Sequence, residues 1–416
     1  MKKDLDQMMK EKGLSAFMIY GHAENNPPMT YMTGGGHVTH ATLIKKVGEE
    51  PVLFCGVMER DEAAKSGLKV RLYDEYPWQD YKEKAGDDAS LLSALRLQHI
   101  FADMGINGKV GVYGTYEFSI LFGLVNHMTR LMPQVEFVGE ARENSLFSYV
   151  METKESHEVE RIRRMGHITT EVVGKTAEYL TNCQVNEAEQ LLDESGNLLR
   201  LGAVKEKISL WLAERNAVPS EGFIFAQGRD AAVPHSQGNP DDVMQLGKTI
   251  VFDIYPQEPG GGYFYDFTRT WSLGYATNEA LKMYGDVQTC YNRITSEMKA
   301  GMPFKQSNEL TCEIFESLGH ATQRTEKNPQ SGYIHSVGHG VGINIHERPW
   351  SGLLATDDNL LRPGVVVTME PGLYYPEKGM GFRIEDTYAV LADGTIERLA
   401  EYPYELVQKM KHWTKK

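Results

Sequence analysis

The sequence is poor in cysteine, with four in 416 residues: Cys55, Cys183, Cys290 and Cys312. No two of them stand at CxxC spacing, which argues against a cysteine-based zinc module, a thiol redox motif or a disulfide scaffold; reduced, structural thiols are expected. Long apolar runs are missing too. The best candidate, residues 119–132, is interrupted by Asn126, His127 and Arg130, short of the ~20 apolar residues that a bilayer span requires. The first twelve residues are charged throughout and hold no apolar stretch followed by small residues, so no secretory leader is expected and a cytoplasmic location is. Positive charge is in deficit: 43 Lys and Arg face 57 Asp and Glu, a formal net charge of −14. Such a surface repels nucleic-acid phosphates and anionic lipid, so neither nucleic acid nor membrane is expected as a partner.

What is present is ordinary for a folded protein: 41% hydrophobic and 24% charged residues, with a mean hydropathy of −0.41. The length exceeds the roughly 250–300 residues at which a single core stops growing, so two domains are expected. Residues 1–150 alternate helical and strand-like segments, with strands expected at 16–20, 51–54, 70–73, 109–113 and 135–138 and helices at 5–12 and 91–103. Gly34, Gly35 and Gly36 form a turn that does not match a dinucleotide-binding GxGxxG. From residue 151 the pattern changes to a long helix, with Val159, Ile162, Met165, Ile168 and Val172 at three- to four-residue steps. The reading is therefore α/β (α+β), with one domain over 1–150 and a second over 151–416. Within the second, Asn186 reads as the N-cap of a helix running to Leu199, and a third helix spans 203–216. Strands are expected at 249–255, 263–272, 365–369 and 383–391, with helices near 279–299 and 308–318.

The residues that look out of place all lie in this second domain. Asp253 follows Thr249-Ile250-Val251-Phe252, Asp266 sits in Tyr263-Phe264-Tyr265-Asp266-Phe267, Glu370 follows Val365-Val366-Val367-Thr368-Met369, and Glu385 follows Ile384. Buried carboxylates cannot all stay ionised without partners, because desolvation costs several kcal/mol per ion. Histidines accompany them: His335 and His339 stand four apart among Gly338, Gly340 and Gly342, and His346 follows seven residues after His339. Glycine on both sides of His339 suits close approach of the backbone to a ligand or metal. Carboxylates with one imidazole suit a pair of divalent ions, manganese or cobalt above zinc, which more often recruits further histidine or cysteine.

The ordered set of Asp253, Asp266 in Tyr265-Asp266-Phe267-Thr268-Arg269-Thr270, His339 in Gly338-His339-Gly340-Val341-Gly342, Glu370 in Met369-Glu370-Pro371-Gly372 and Glu385 in Arg383-Ile384-Glu385-Asp386 closely resembles the M24 metallopeptidases. These are the pita-bread enzymes, which include methionine aminopeptidase, Xaa-Pro aminopeptidase and prolidase. Gly13-Leu14-Ser15-Ala16 and Tyr31-Met32-Thr33-Gly34 resemble the opening of a creatinase-type N-terminal domain. Two features depart from the pattern: Asp253-Ile254-Tyr255 replaces the usual Asp-x-Gly, and the two aspartates stand 266 − 253 = 13 residues apart, with Gly260-Gly261-Gly262 between them. Extra length in a hairpin loop costs little and need not move either ligand.

The resemblance implies two divalent ions per chain, with Asp266 and Glu385 bridging them, Asp253 on one, and His339 with Glu370 on the other. It implies that the ions activate a water and polarise the scissile carbonyl, and that Glu370 moves the proton. It further implies that His346 and His235 hold the substrate and stabilise the tetrahedral intermediate, and that His335 lines the same pocket. Arg383, two residues before Glu385, is expected to brace a ligand carboxylate from behind. An N-terminal domain sets the chain apart from methionine aminopeptidases. The expected activity is that of an Xaa-Pro aminopeptidase acting on peptides with proline second, as a homodimer; the alternatives are a prolidase, a metal-free creatinase-like hydrolase and a noncatalytic binding relative. The last two predict eroded ligands, whereas all five ligand types are present.

Overall fold

The computed structural model describes residues 4–414; the first three residues of the charged opening and the last two of the second domain's range lie outside the described residues. The chain divides into two compact units, one running to Met151 and taking in Gly260–Gly262, the other comprising Glu152–Pro259 and the chain from Tyr263 onward.

The first unit is built on one mixed sheet. Its strands are β1 (Ala16–Gly21), β2 (Ala41–Lys46), β3 (Val52–Cys55), β4 (Lys69–Leu72), β5 (Gly108–Tyr113) and β6 (Val135–Val138), in the order β4-β3-β2-β1-β5-β6. Strand β2 was not anticipated; it joins β1 and β3 antiparallel, whereas β5 runs parallel to β1. Because side chains alternate across a strand, β1 feeds two cores. Ala16 and Met18 pack with Phe54, Phe101 and Val110 on one face, while Phe17 and Ile19 pack with Leu43, Leu53 and Phe147 on the other.

The second unit opens with the helix Ser156–Asn182, started by a capping box in which Glu155 and Glu158 reciprocate. It buries Val159, Ile162, Met165 and Val172 of the stripe expected from periodicity, with Ile168 half-buried. The helix expected from Asn186 to Leu199 is absent. Short strands β7 (Gln184–Val185) and β8 (Leu191–Leu192) pair antiparallel there, and Asn186 Oδ1 accepts the backbone N–H groups of Ala188 and Gln190, both at 3.0 Å. An Asx turn uses the same side-chain acceptor as a helix cap, so the two are alike in sequence.

Two sheets carry the remainder. One orders β9 (Ile224–Gln227), β10 (Thr249–Ile254) and β11 (Phe267–Leu273), with β19 (Val407–Gln408) added outside β11. The other orders β13 (Glu347–Trp350), β12 (His339–Gly340), β14 (Val366–Met369), β17 (Asp386–Val390) and β18 (Ile396–Arg398); β15 (Gly372–Tyr375) and β16 (Met380–Arg383) form a hairpin. Helices Asn278–Glu297 and Lys305–Ser317 cover a core in which Val287, Ile294 and Phe315 meet Val367, Met369, Leu373 and Ile384.

Two expected strands are shorter than the sequence suggested. The strand read over 263–272 begins only at Phe267, and the one read over 383–391 is two, broken at Ile384 and Glu385. The break has a cause. After pairing with β15 through Arg383, the chain bridges to Thr268 at Glu385 and then pairs with β14 from Asp386. Glu385 N donates to Thr268 O at 3.0 Å, which brings the carboxylate beside β11. All four cysteines are buried and free, and no helix among the described residues is long and apolar enough to cross a membrane.

Candidate metal centre

Each carboxylate arrives from a different element. Asp253 lies in β10, in register with Thr268 of β11. Asp266 immediately precedes β11; its Oδ1 accepts from Phe267 N at 3.0 Å, which leaves Oδ2 to face the cavity. Glu370 follows β14, with its N–H donating to Val337 O at 2.9 Å. His339 lies in β12 and its Nδ1 donates to Gly340 O at 3.0 Å. That bond fixes the tautomer and leaves Nε2 as the available donor atom for a metal. Nε2 stands 3.5 Å from both Asp266 Oδ2 and Glu370 Oε1. One ligand atom each from Asp266, His339 and Glu385 lies within 4.8 Å of the others, and all three residues are buried.

Such a cluster is electrostatically unfavourable on its own. Burial first, and then repulsion from Asp253 and Glu370, holds the Asp266 carboxyl well above the usual carboxylate range. Burial and the neighbouring Asp266 and Glu370 do the same to Glu385. Glu370 is pushed up to about 8, mainly by burial, despite the opposing pull of Arg383. His339 is driven down to about 3 by burial and by His346, so it is neutral and competent as a ligand. Asp253 Oδ1 is buried with no hydrogen-bond partner. Hard carboxylate oxygens, one neutral imidazole and an orphaned carboxylate oxygen fit a divalent cation pair, which would neutralise the charges that burial disfavours.

Arg383 is the counter-ion already in place. Its guanidinium donates to Asp253 Oδ2 at 2.5 Å, to Tyr374 Oη at 2.6 Å and to Thr268 Oγ1 at 3.1 Å. Thr268 Oγ1 in turn donates to Glu385 Oε2 at 2.7 Å. Arg383 therefore braces Asp253 directly and Glu385 through a threonine, where the sequence had pointed only to some ligand carboxylate. Tyr374 also lies 2.9 Å from His335 Nε2, while His335 Nδ1 donates to Ser336 O at 2.7 Å. Burial and the nearby Arg383 push His335 down to about 3. Neither Thr268 nor Tyr374 was singled out from sequence, although Thr268 stands in the same quoted run as Asp266.

A further buried network holds the strand break. Arg269 donates to Asp386 Oδ1 at 2.8 Å and to the carbonyls of Thr268, Glu385, Tyr402 and Pro403. Asp386 Oδ2 accepts from Tyr404 at 2.8 Å and from Tyr291.

The glycines around His339 have a different role from the one expected. A Cβ on Gly338 would lie 2.2 Å from Thr368 O, and one on Gly340 would lie 2.0 Å from Arg348 O. Their bareness lets β12 approach neighbouring strands, so they place His339 without themselves making room for a ligand.

Asp253, Asp266, His339, Glu370, Glu385 and Arg383 line a cavity of about 420 Å³ that also includes His235, His335, His346, Tyr255 and Trp350. His346 stacks at a tilt on His339, ring centroids 4.2 Å apart. All nine residues anticipated from sequence, Asp253, Asp266, His339, Glu370, Glu385, His235, His335, His346 and Arg383, thus meet in one cavity.

Comparison with known proteins agrees with this geometry. A Pyrococcus furiosus protein named Xaa-Pro dipeptidase is 32% identical over 199 residues, 47% of this chain and 53% of that protein; the chain spans about half the length of such curated relatives. Among solved structures, an Xaa-Pro dipeptidase from Bacillus anthracis superposes with a TM-score of 0.76 at 21% identity, covering 97% of this chain and 98% of that one. An X-Pro aminopeptidase from Thermotoga maritima gives a TM-score of 0.73 at 21% identity, covering 96% and 99%. At that identity the likeness is one of fold, the pita-bread architecture with a preceding N-terminal domain. The model of metallopeptidase family M24 matches residues 160–392, a span that contains every one of the nine cavity residues, and the chain belongs to that family.

Proposed function

We propose that this protein is a dinuclear-metal aminopeptidase that releases the residue preceding proline from the N-terminus of peptides. One observation carries the preference for peptides over dipeptides. A dipeptide presents its proline carboxylate inside the cavity, and an enzyme restricted to dipeptides needs a cation to receive it. Among the described lining residues the only guanidinium or ammonium is Arg383, and it is committed to Asp253, Tyr374 and Thr268. Glu221 adds a further negative charge to the wall. A longer peptide carries its carboxylate away from the cavity and escapes that cost.

Asp253, Asp266, His339, Glu370 and Glu385 would hold two divalent ions, manganese first among the candidates on the hardness of the donor set. When bound, the ions supply Lewis-acid polarisation and lower the pKa of a water molecule. The rest is done by the chain. Glu370, at the end of β14 and facing the same cavity, accepts a proton at its carboxylate and returns it to the prolyl nitrogen as that bond breaks. His346 and His235 donate hydrogen bonds to the substrate carbonyl oxygen, and His335 shapes the wall. Because the prolyl nitrogen bears no hydrogen, a site that works through the carbonyl suits this bond.

The runner-up, an Xaa-Pro dipeptidase, draws support from the name of the P. furiosus relative. A cleavage panel decides between them. Ala-Pro, Ala-Pro-Ala and longer Ala-Pro peptides are incubated with the manganese-, cobalt- or zinc-loaded protein. Preference for tripeptides and longer supports the aminopeptidase; cleavage confined to Ala-Pro overturns it. A homodimer is expected, and sedimentation in the same buffer tests it.

A further inference from the structure

A second cavity lies in the first unit, and none of the residues assigned above lines it. Its volume is about 780 Å³, against about 420 Å³ around the metal centre. Tyr20, Tyr73, Trp78, Tyr116 and Leu124 supply flat apolar wall. Into it the helix Ala89–Asp103 presents Ser90, Ser93 and Arg96. These are spaced i, i+3, i+6, so they share one helix face.

Arg96 is the unusual member. Its guanidinium stacks on the Tyr73 ring, 5.2 Å from the centroid, and that ring is fixed by a 2.7 Å hydrogen bond between Tyr73 Oη and Thr42 Oγ1. Yet Arg96 Nε is buried without a hydrogen-bond partner, and among the described residues no carboxylate forms an ion pair with Arg96. Arg71 of the same unit, by contrast, holds both Glu75 and Asp103. Of the acids in the cavity wall, Glu59 already accepts from Thr39 N and Oγ1, and Asp74 lies beside Tyr73 in sequence. A buried guanidinium N–H without an acceptor is costly, and a planar carboxylate matches its fork.

We propose that this cavity is a second binding site, for a small molecule with a flat aromatic body and a carboxylate. The carboxylate sits on Arg96 with the Ser90 hydroxyl beside it, the Ser93 hydroxyl being donated to Ala89 O at 3.0 Å. The ring lies among the tyrosines and Trp78.

The test uses indole-3-acetate and its neutral amide as probes on the full-length, manganese-loaded protein, with binding read by calorimetry and saturation-transfer NMR. Indole-3-acetate should bind at least tenfold tighter than the amide. Arg96→Gln should abolish that preference, and Ser93→Trp, which fills the cavity from an open helix face, should weaken both probes tenfold or more. Both variants should keep the hydrolytic rate on Ala-Pro peptides, and a thermal melt identifies a variant that has failed to fold; Ser93→Trp then decides alone. Equal binding of acid and amide overturns the site, as does an unchanged preference in Arg96→Gln or undiminished binding in Ser93→Trp. Displacement of the probe by a substrate peptide would place it at the metal centre and overturn it too. So would binding only to the monomer in a self-associating preparation, since the cavity would then be covered by a second copy of the chain.

Discussion

Arg383 and Asp253 form a buried ion pair, 2.5 Å between guanidinium nitrogen and Oδ2, that leaves the other oxygen of the same carboxylate without a hydrogen-bond partner. The pairing orients Asp253 from behind and leaves its second oxygen for a cation.

Removing that brace should cost more than a charge. Arg383→Met leaves Asp253 buried and unpaired, a change of about 3–5 kcal/mol when one partner of a buried pair is lost. Metal affinity should fall ten- to a hundredfold and hydrolysis with it. Calorimetric manganese titration alongside kcat measures both; unchanged affinity would show that the pair is structural alone.

Thr268→Val keeps shape and removes the hydroxyl that links Arg383 to Glu385. The expected loss is about 1–3 kcal/mol, read as roughly tenfold weaker metal binding with a near-normal melt. A large drop in Tm without any loss of metal would contradict the assignment.

The cluster makes the metal-stripped protein pH-sensitive in a definite direction. Glu370, raised to about 8 from an ordinary 4.5, and Asp266 and Glu385, also raised, keep protons in the fold that the unfolded chain releases. The Glu370 contribution is complete below about pH 4.5 and is lost as pH rises through about 8, and those of Asp266 and Glu385 fall in the same direction. His335 and His339, lowered to about 3, act in the opposite sense and lose their contribution as pH falls below 6.5. Chelator-treated protein should therefore melt highest near pH 5 to 6 and lower at pH 8. Manganese, by neutralising the carboxylates, should raise Tm more at pH 8 than at pH 5.5; equal increments at the two pH values would refute this.

Gly340→Ala should disturb His339 without touching it. The added methyl would lie 2.0 Å from Arg348 O, so β12 must move, and a Tm lower by several degrees with reduced metal content is expected. Gly352→Ala, whose nearest neighbour would be 3.9 Å away, serves as the control.

The legible parts of the site were those that violate local expectation. Asp253 and Glu370 follow apolar runs fit only for buried strands, and a buried acid there requires an explanation. Thr268 and Tyr374 violate nothing, since a hydroxyl in a strand is ordinary; Tyr374 meets Arg383 only across the β15–β16 hairpin, and Glu385 lies 117 residues from Thr268. The pairing that joins them is tertiary. Similarly, Asn186 has the acceptor chemistry of a helix cap, and only the pairing of Gln184–Val185 with Leu191–Leu192 decides for a turn. The break at Glu385 was hidden because Phe382 and Ile384 before it and Thr387, Tyr388 and Val390 after it all favour strand, and what interrupts it is a bridge to β11.

The Arg269–Asp386 network reaches the carbonyls of Tyr402 and Pro403 and the hydroxyl of Tyr404. The segment after β18 thereby acts as a keystone: Asp386 is the immediate neighbour of Glu385, so whatever loosens residues 402–404 loosens a candidate metal ligand from the far side. A protease nick or a deletion there should silence the protein as effectively as a lesion in the cavity, and an affinity handle belongs elsewhere on the chain.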